Sequence, residues 1–155
     1  MITYFAYGSN MNPQRIGERI GRVPVGRPAS LCDYVLRFSA RSKDDLRTGY
    51  ANIEPQAGSI VHGVAYDLTE EELAKIDVYE GVAWGHYYRE TVELATETEG
   101  RIPAIAYVTC DEWVSEGLKP PRWYLEHLLA GRDLLPPEYA EWLAEHRVLE
   151  SQDER

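Results

Sequence analysis

Cysteine is scarce: Cys32 and Cys110 are the only two in 155 residues. Two distant thiols supply neither a disulfide framework nor a zinc site. They suit a reducing compartment, so a cytoplasmic location is expected. The four histidines, His62, His86, His127 and His146, never pair at i,i+4, and neither HxH nor HExxH occurs, so no metal is expected. No Walker loop, GxGxxG or GxSxG is present, which argues against a nucleotide cofactor and against a serine triad; the expected cofactor list is empty. Apolar runs fall far below the ~18 residues of a membrane helix. Residues 1–5 lack the basic and long apolar segments of a signal peptide and read as mature protein. Cationic side chains are in deficit, 16 Lys and Arg against 26 Asp and Glu, for a net charge of −10. Such a field repels nucleic acid and anionic membranes, so neither is an expected partner.

What is present describes an ordinary globular chain. Hydrophobic residues make up 44% and charged residues 27%, and a length near ~150 predicts one domain. That domain is placed at 1–148, followed by a polar tail, 149–155, expected to fray. Tyrosine is over-represented, 11 against 2 Phe, which hints at amphipathic rings around a polar cavity.

Residues 2–7 alternate, with β-branched and aromatic enrichment, and predict a strand; Gly8, Ser9 and Asn10 end it as turn formers. Asn12 then caps, and Pro13 opens, a helix to about Ile20, stopped by Gly21. Strands are expected over 29–38, 49–54 and 59–67, with a surface loop over 41–47. Thr69 and Glu72 form a capping box for a helix ending near Tyr79, with Leu73 and Ile76 as its apolar stripe. Strands over 87–95 and 102–109 flank a Thr98-Glu99-Gly100 turn and read as a hairpin. Pro121 and Pro137 open two more helices. The first buries Trp123, Leu125, Leu128 and Leu129 and ends at Gly131; the second gathers Tyr139, Trp142 and Leu143 on one face. Without regular βαβ alternation a doubly wound sheet is disfavoured. The expected class is α+β, a curved or closed sheet with helices packed outside.

Two segments are suited to chemistry. In Tyr4-Phe5-Ala6-Tyr7-Gly8-Ser9-Asn10 a strand runs into a turn whose N–H groups, near a helix N-terminus, favour carboxylates and oxyanions. Gly8 permits close approach of a ligand. The same residues also fit an ordinary strand-to-helix turn. In the second segment Glu80 stands where a helix stops, facing the negative end of its dipole. Burial by Tyr79, Val82, Trp84 and Tyr87 would raise its pKa toward that of a general base working near neutral pH. A solvated glutamate at a helix end fits the pattern equally. Asp77, one turn earlier, is expected to face solvent. Tyr87 shares a polar-leaning strand face with Arg89 and Thr91, and Tyr88 an apolar face with Val92 and Leu94. In a closed sheet the polar-leaning face can line a cavity while the apolar face meets helices, so Tyr87 is expected to point into the cavity and Tyr88 outward into packing.

Together these segments resemble the γ-glutamylcyclotransferase family. Its signature is a Tyr-Gly-Ser-Asn loop after a first strand and a later Glu-Gly-Val followed by Gly-x-Tyr. Here these are Tyr7-Gly8-Ser9-Asn10, Glu80-Gly81-Val82 and Gly85-His86-Tyr87. The resemblance extends in element order from 1 to about 143 and includes the Pro-Pro-Glu-Tyr segment ending at Tyr139. It implies a small mixed β-barrel with flanking helices and a reaction turning a γ-glutamyl amino acid or amine into 5-oxoproline and the free amine. At matching positions it implies Glu80 as general acid/base, Tyr7, Gly8, Ser9 and Asn10 as binders of the glutamyl carboxylate and carbonyl, and Tyr87 as a cavity-lining residue. Asn10 differs from the Ser-Leu ending of the glutathione-specific branch and the Gly-Thr-Leu of the γ-glutamylamine branch, which counts against those substrates. The bulky Ala83-Trp84 departs from the pattern, and Trp84 could narrow or cover the cavity.

The implied chemistry agrees with the absences. The substrate's own α-amine attacks its δ-carbonyl, so ring closure already holds the reactants together and no metal, cofactor or protein nucleophile is required. One carboxylate, Glu80 alone among the acidic residues, can take a proton and return it to the leaving nitrogen. Backbone N–H groups of Gly8, Ser9 and Asn10 can stabilise the oxyanion and bind the substrate carboxylate without a cationic side chain. Two other readings use the same pocket: binding or sensing of a γ-glutamyl or other carboxylate metabolite without turnover, and removal of a γ-glutamyl group from a biosynthetic intermediate. Nothing in the sequence specifies the leaving amine or an oligomeric state.

Overall fold

In the computed structural model, which describes residues 1–150, five strands close into a barrel. They are β1 (Ile2–Ala6), β2 (Arg27–Arg41), β3 (Gly49–Leu68), β4 (Tyr87–Thr96) and β5 (Gly100–Thr109), ordered β1-β3-β2-β4-β5 around the wall. Neighbours run antiparallel except β1 and β5, whose parallel contact of Tyr4 with Ile105 closes the wall. Four helices accompany it: α1 (Pro13–Ile20), α2 (Glu70–Tyr79), α3 (Arg122–Leu129) and α4 (Pro137–Ala144). This is the mixed α+β barrel that the resemblance implied.

The local signals act as expected at most boundaries. Asn12 Oδ1 accepts from the Gln14 N–H, Pro13 opens α1, and Gly21 (φ 91°) ends it in the left-handed region. Thr69 and Glu72 make both halves of the capping box on α2. The two strands expected over 49–54 and 59–67 are instead one long strand, β3. Pro55, Gln56, Ala57 and Gly58 look like a break in sequence. In the sheet they form an exposed bulge, because pairing jumps from Tyr34 with Pro55 to Cys32 with Ile60. Asp33, in the left-handed region (φ 64°), accepts from the Gly58 N–H and holds the bend together. A bulge of this kind curves a strand without ending it, and curvature is what a small barrel needs.

Contrary to expectation, the cap of α3 is Ala130 and not Gly131. Gly131 is required for close packing, since a Cβ there would come within 2.6 Å of the Met11 carbonyl oxygen. Trp123 and Leu129 are half-buried rather than buried, and Trp142 remains 38% exposed. Tyr88 points outward as expected but is 42% exposed rather than packed.

Each helix contributes fully buried apolar side chains to the core: Ile16 from α1, Leu73 and Ile76 from α2, Leu128 from α3 and Leu143 from α4, around Phe5, Ile53, Leu68 and Leu94 of the barrel. Each such side chain contributes roughly 1.5–3 kcal/mol, so the elements carrying the site are firmly placed. Leu149 donates its N–H to the Pro120 carbonyl and Arg122 pairs with Glu150. Residues 151–155 of the expected tail lie outside the described residues. Among the described residues no helix is long and apolar enough to cross a membrane.

Candidate active site

β1 delivers Tyr7, Gly8, Ser9 and Asn10 into a tight 3-10 turn closed by N–H bonds from Met11 to Gly8 and from Asn12 to Ser9. The leading N–H groups of such a turn, on Ser9 and Asn10, have no partner within it. Gly8 lies against the next wall of the site: a Cβ would stand 3.1 Å from the Tyr124 hydroxyl and 3.3 Å from the Ala51 Cβ.

Asn10 is a buried junction. Its Nδ2 donates to the Tyr4 hydroxyl (3.0 Å), its Oδ1 accepts from Arg19 (3.1 Å) and its carbonyl accepts from the Tyr66 hydroxyl (2.9 Å). Its side chain therefore holds the turn. Ser9 Oγ accepts from Arg15 Nε at 3.1 Å. Tyr7 donates its hydroxyl to the Tyr107 carbonyl at 2.5 Å.

Glu80 is the C-cap of α2, and Gly81 (φ 67°) turns the chain away directly after it. Burial pushes its carboxyl up from 4.5 to about 7. Arg19 and Arg15 pull in the opposite direction, and Asp77 adds a smaller push upward. At about 7 the group is divided between its acid and base forms near neutral pH, as a proton shuttle requires.

Glu80, Tyr7, Gly8, Ser9, Asn10 and Tyr87 all line one cavity of about 360 Å³. Tyr87 enters it from the start of β4, with its hydroxyl donated to the Ala51 carbonyl (2.8 Å), while the Ala51 N–H is donated to the Tyr124 hydroxyl (3.0 Å). Seven of the eleven tyrosines line this cavity, although only Tyr7 and Tyr87 were expected there. Among the described residues no three of His, Cys, Asp and Glu gather in a way that could hold a metal.

Two expectations are corrected. Asp77 does not face solvent. It receives both Arg89 Nε (2.8 Å) and Nη2 (2.7 Å), and the Tyr107 hydroxyl at 2.6 Å. The polar-leaning face of β4 thus meets α2 through Arg89, and Asp77 ties α2 to the barrel wall one turn before Glu80. Nor does the cavity depend on backbone N–H groups alone for positive charge, since Arg15, Arg19 and Lys43 all line it. The first two sit at i,i+4 on α1, a spacing that places them on one helix face. That spacing, immediately after the turn, was the signal available in the sequence. Trp123 and Tyr124 had no such signal, because they reach the cavity from α3, far along the chain from the turn.

The AIG2-like family model matches residues 60–143. The chain is 30% identical over 145 residues to human γ-glutamylcyclotransferase, covering 90% of this chain and 76% of the human protein. The bovine protein of the same name is 29% identical over 141 residues, covering 88% and 73%. Among solved structures, one named γ-glutamyl cyclotransferase superposes with a TM-score of 0.85 at 27% identity, covering 99% of this chain and 92% of that one. A yeast γ-glutamyl cyclotransferase specific to glutathione shares the fold alone, with a TM-score of 0.66 at 15% identity and coverage of 93% and 94%. The chain belongs to the AIG2-like family, and within it to the γ-glutamylcyclotransferases.

Proposed function

We propose that this protein is a γ-glutamylcyclotransferase that converts a γ-glutamyl amino acid to 5-oxoproline and the free amino acid. One observation carries the reading: a carboxyl poised at about 7, Glu80, shares one cavity with the Tyr7 to Asn10 turn. Ionised Glu80 takes a proton from the substrate's α-nitrogen. That nitrogen attacks the δ-carbonyl, forming the ring C–N bond and a tetrahedral oxyanion. Protonated Glu80 then gives its proton to the leaving nitrogen as the original C–N bond breaks. The balance needs no water and no co-reactant.

The turn N–H groups of Ser9 and Asn10 are the donors suited to the oxyanion. Arg15 and Arg19 supply charge for the glutamyl α-carboxylate beside them, which makes the site locally cationic in a chain of net charge −10. A cavity of this small volume favours the folded-back conformer that ring closure needs. Glu80, Tyr7, Gly8, Ser9, Asn10 and Tyr87 are the residues proposed for the site. Cys32 and Cys110, both free thiols, suit the cytoplasm.

The test is release of 5-oxoproline from a panel of γ-glutamyl amino acids. Wild-type protein should release it, and Glu80→Gln should abolish release with melting behaviour retained. Turnover by the variant would remove Glu80 from the mechanism. Ligand-dependent thermal stabilisation with no product across the panel would favour binding without catalysis.

A further inference from the structure

We propose that the outer part of this cavity is a leaving-group subsite. It selects γ-glutamyl α-amino acids whose leaving residue has a large apolar or aromatic side chain and a free α-carboxylate. The inference rests on the cyclotransferase reading above and adds the identity of the leaving group.

The placement of Trp84 carries it. Four residues after the base, Trp84 closes the 3-10 turn Val82–Trp84 that begins at left-handed Gly81. The indole lies so close over Gly81 that a Cβ there would stand 2.6 Å from its Cε2. The side chain is therefore fixed beside the residue that follows Glu80. Glu80 must reach the leaving nitrogen to protonate it, so the substituent on that nitrogen is brought toward the indole.

Trp84 is braced by neighbouring rings and still partly bare. It stacks on the His86 ring (4.7 Å, 19°) and meets Trp113 edge-on at 5.2 Å. His86 is itself anchored by donating Nε2–H to the Arg41 carbonyl at 2.9 Å. Yet Trp84 remains 45% exposed and lines the cavity. An indole braced in this way and still partly bare presents a preformed apolar surface at little entropic cost on binding. Tyr50 of β3 and Trp123 of α3, 6.3 Å apart, add aromatic lining to the same cavity.

Lys43 supplies the second determinant. It lies on the loop between β2 and β3, lines the cavity, and holds its ammonium 5.2 Å from the centre of the Trp84 ring. A cation over an apolar wall matches an α-amino acid, whose carboxylate and side chain leave the same carbon in different directions. A simple amine offers nothing to Lys43. The volume of about 360 Å³ is at the small end of ligand cavities, ~300–1,000 Å³, and suits one dipeptide-sized molecule.

The test compares 5-oxoproline release from γ-glutamylphenylalanine, γ-glutamylalanine and γ-glutamylphenethylamine by wild type, Trp84→Ala, Trp84→Phe and Lys43→Met. Wild type should favour the phenylalanine substrate over the alanine one by about tenfold in kcat/KM. Trp84→Ala should erase that preference, lowering the phenylalanine substrate about tenfold more than the alanine one, and Trp84→Phe should restore much of the difference. Lys43→Met should lower both amino-acid substrates about fivefold more than it lowers γ-glutamylphenethylamine, as for an exposed ion pair. Equal rates on all three substrates, or equal losses on all three in the variants, would overturn this proposal alone. Release from none of them by wild type would overturn the cyclotransferase reading and this proposal with it.

Discussion

The Arg19 guanidinium lies 4.5 Å over the ring of Tyr79, the residue immediately before Glu80. The same guanidinium donates to Asn10 Oδ1, so one side chain of α1 touches both halves of the site. Its charge favours the ionised form of Glu80. Arg19→Met should therefore move the acidic limb of the kcat/KM profile upward from about 7, by about one unit, and raise KM through the lost charge near the substrate carboxylate. A pH–rate series on wild type and variant measures both. An unmoved limb would show that Arg19 does not act on Glu80.

Stability should carry the mark of the same burial. Glu80 is raised from 4.5 to about 7 in the folded protein, so the folded state holds the proton more tightly than the unfolded chain. For an acid shifted upward, stability is greatest below about 4.5 and falls as pH rises toward about 7, by about 3 kcal/mol in total. Glu80→Gln cannot ionise. Its stability relative to wild type should increase through that window and level off above it, as read by urea melts at pH 5, 6, 7 and 8. A constant difference would mean the carboxyl is solvated.

Asp77 links α2 to the barrel through Arg89 and the Tyr107 hydroxyl. Asp77→Asn weakens a charge-assisted, partly buried junction and should cost about 1–2 kcal/mol in a denaturant melt. It also removes a negative charge that raises the Glu80 pKa. The acidic limb should therefore move downward, opposite to Arg19→Met. Loss of stability with a fixed limb would make Asp77 structural alone.

Gly81 has two reasons to be glycine: its φ of 67° and the indole 2.6 Å from where a Cβ would stand. Gly81→Ala should cost at least about 1–2 kcal/mol, from the left-handed backbone and from displacement of Trp84. Gly100 has the same backbone sign (φ 68°) but open space around it, so Gly100→Ala should show the backbone cost only. Equal losses in the two variants would mean that Trp84 yields freely. Denaturant melts of both variants decide this.

Much of the fold was legible because its signals are local. Asn12 and Pro13 start α1, the Thr69–Glu72 box starts α2, and the hairpin of β4 and β5 turns at Gly100. Each depends on residues within a few positions, whose hydrogen bonds and φ preferences do not wait for the rest of the chain. The long β3 was not legible. Pro55 and Gly58 carry turn chemistry, and only the partner strand, through the pairing of Asp33 with Gly58, converts a turn into a bulge.

The site divides in the same way. The sequence by itself determined the turn at Gly8, Ser9 and Asn10, and the placement of Glu80 at the end of a helix. Tertiary structure alone decided that these two lie in one cavity, that Arg15 and Arg19 make it cationic, and that Asp77 meets Tyr107 instead of water. The reason is distance along the chain. Barrel closure brings Tyr4 against Ile105, and with it two segments some 70 residues apart. Only that tertiary burial shifts the Glu80 carboxyl toward neutrality.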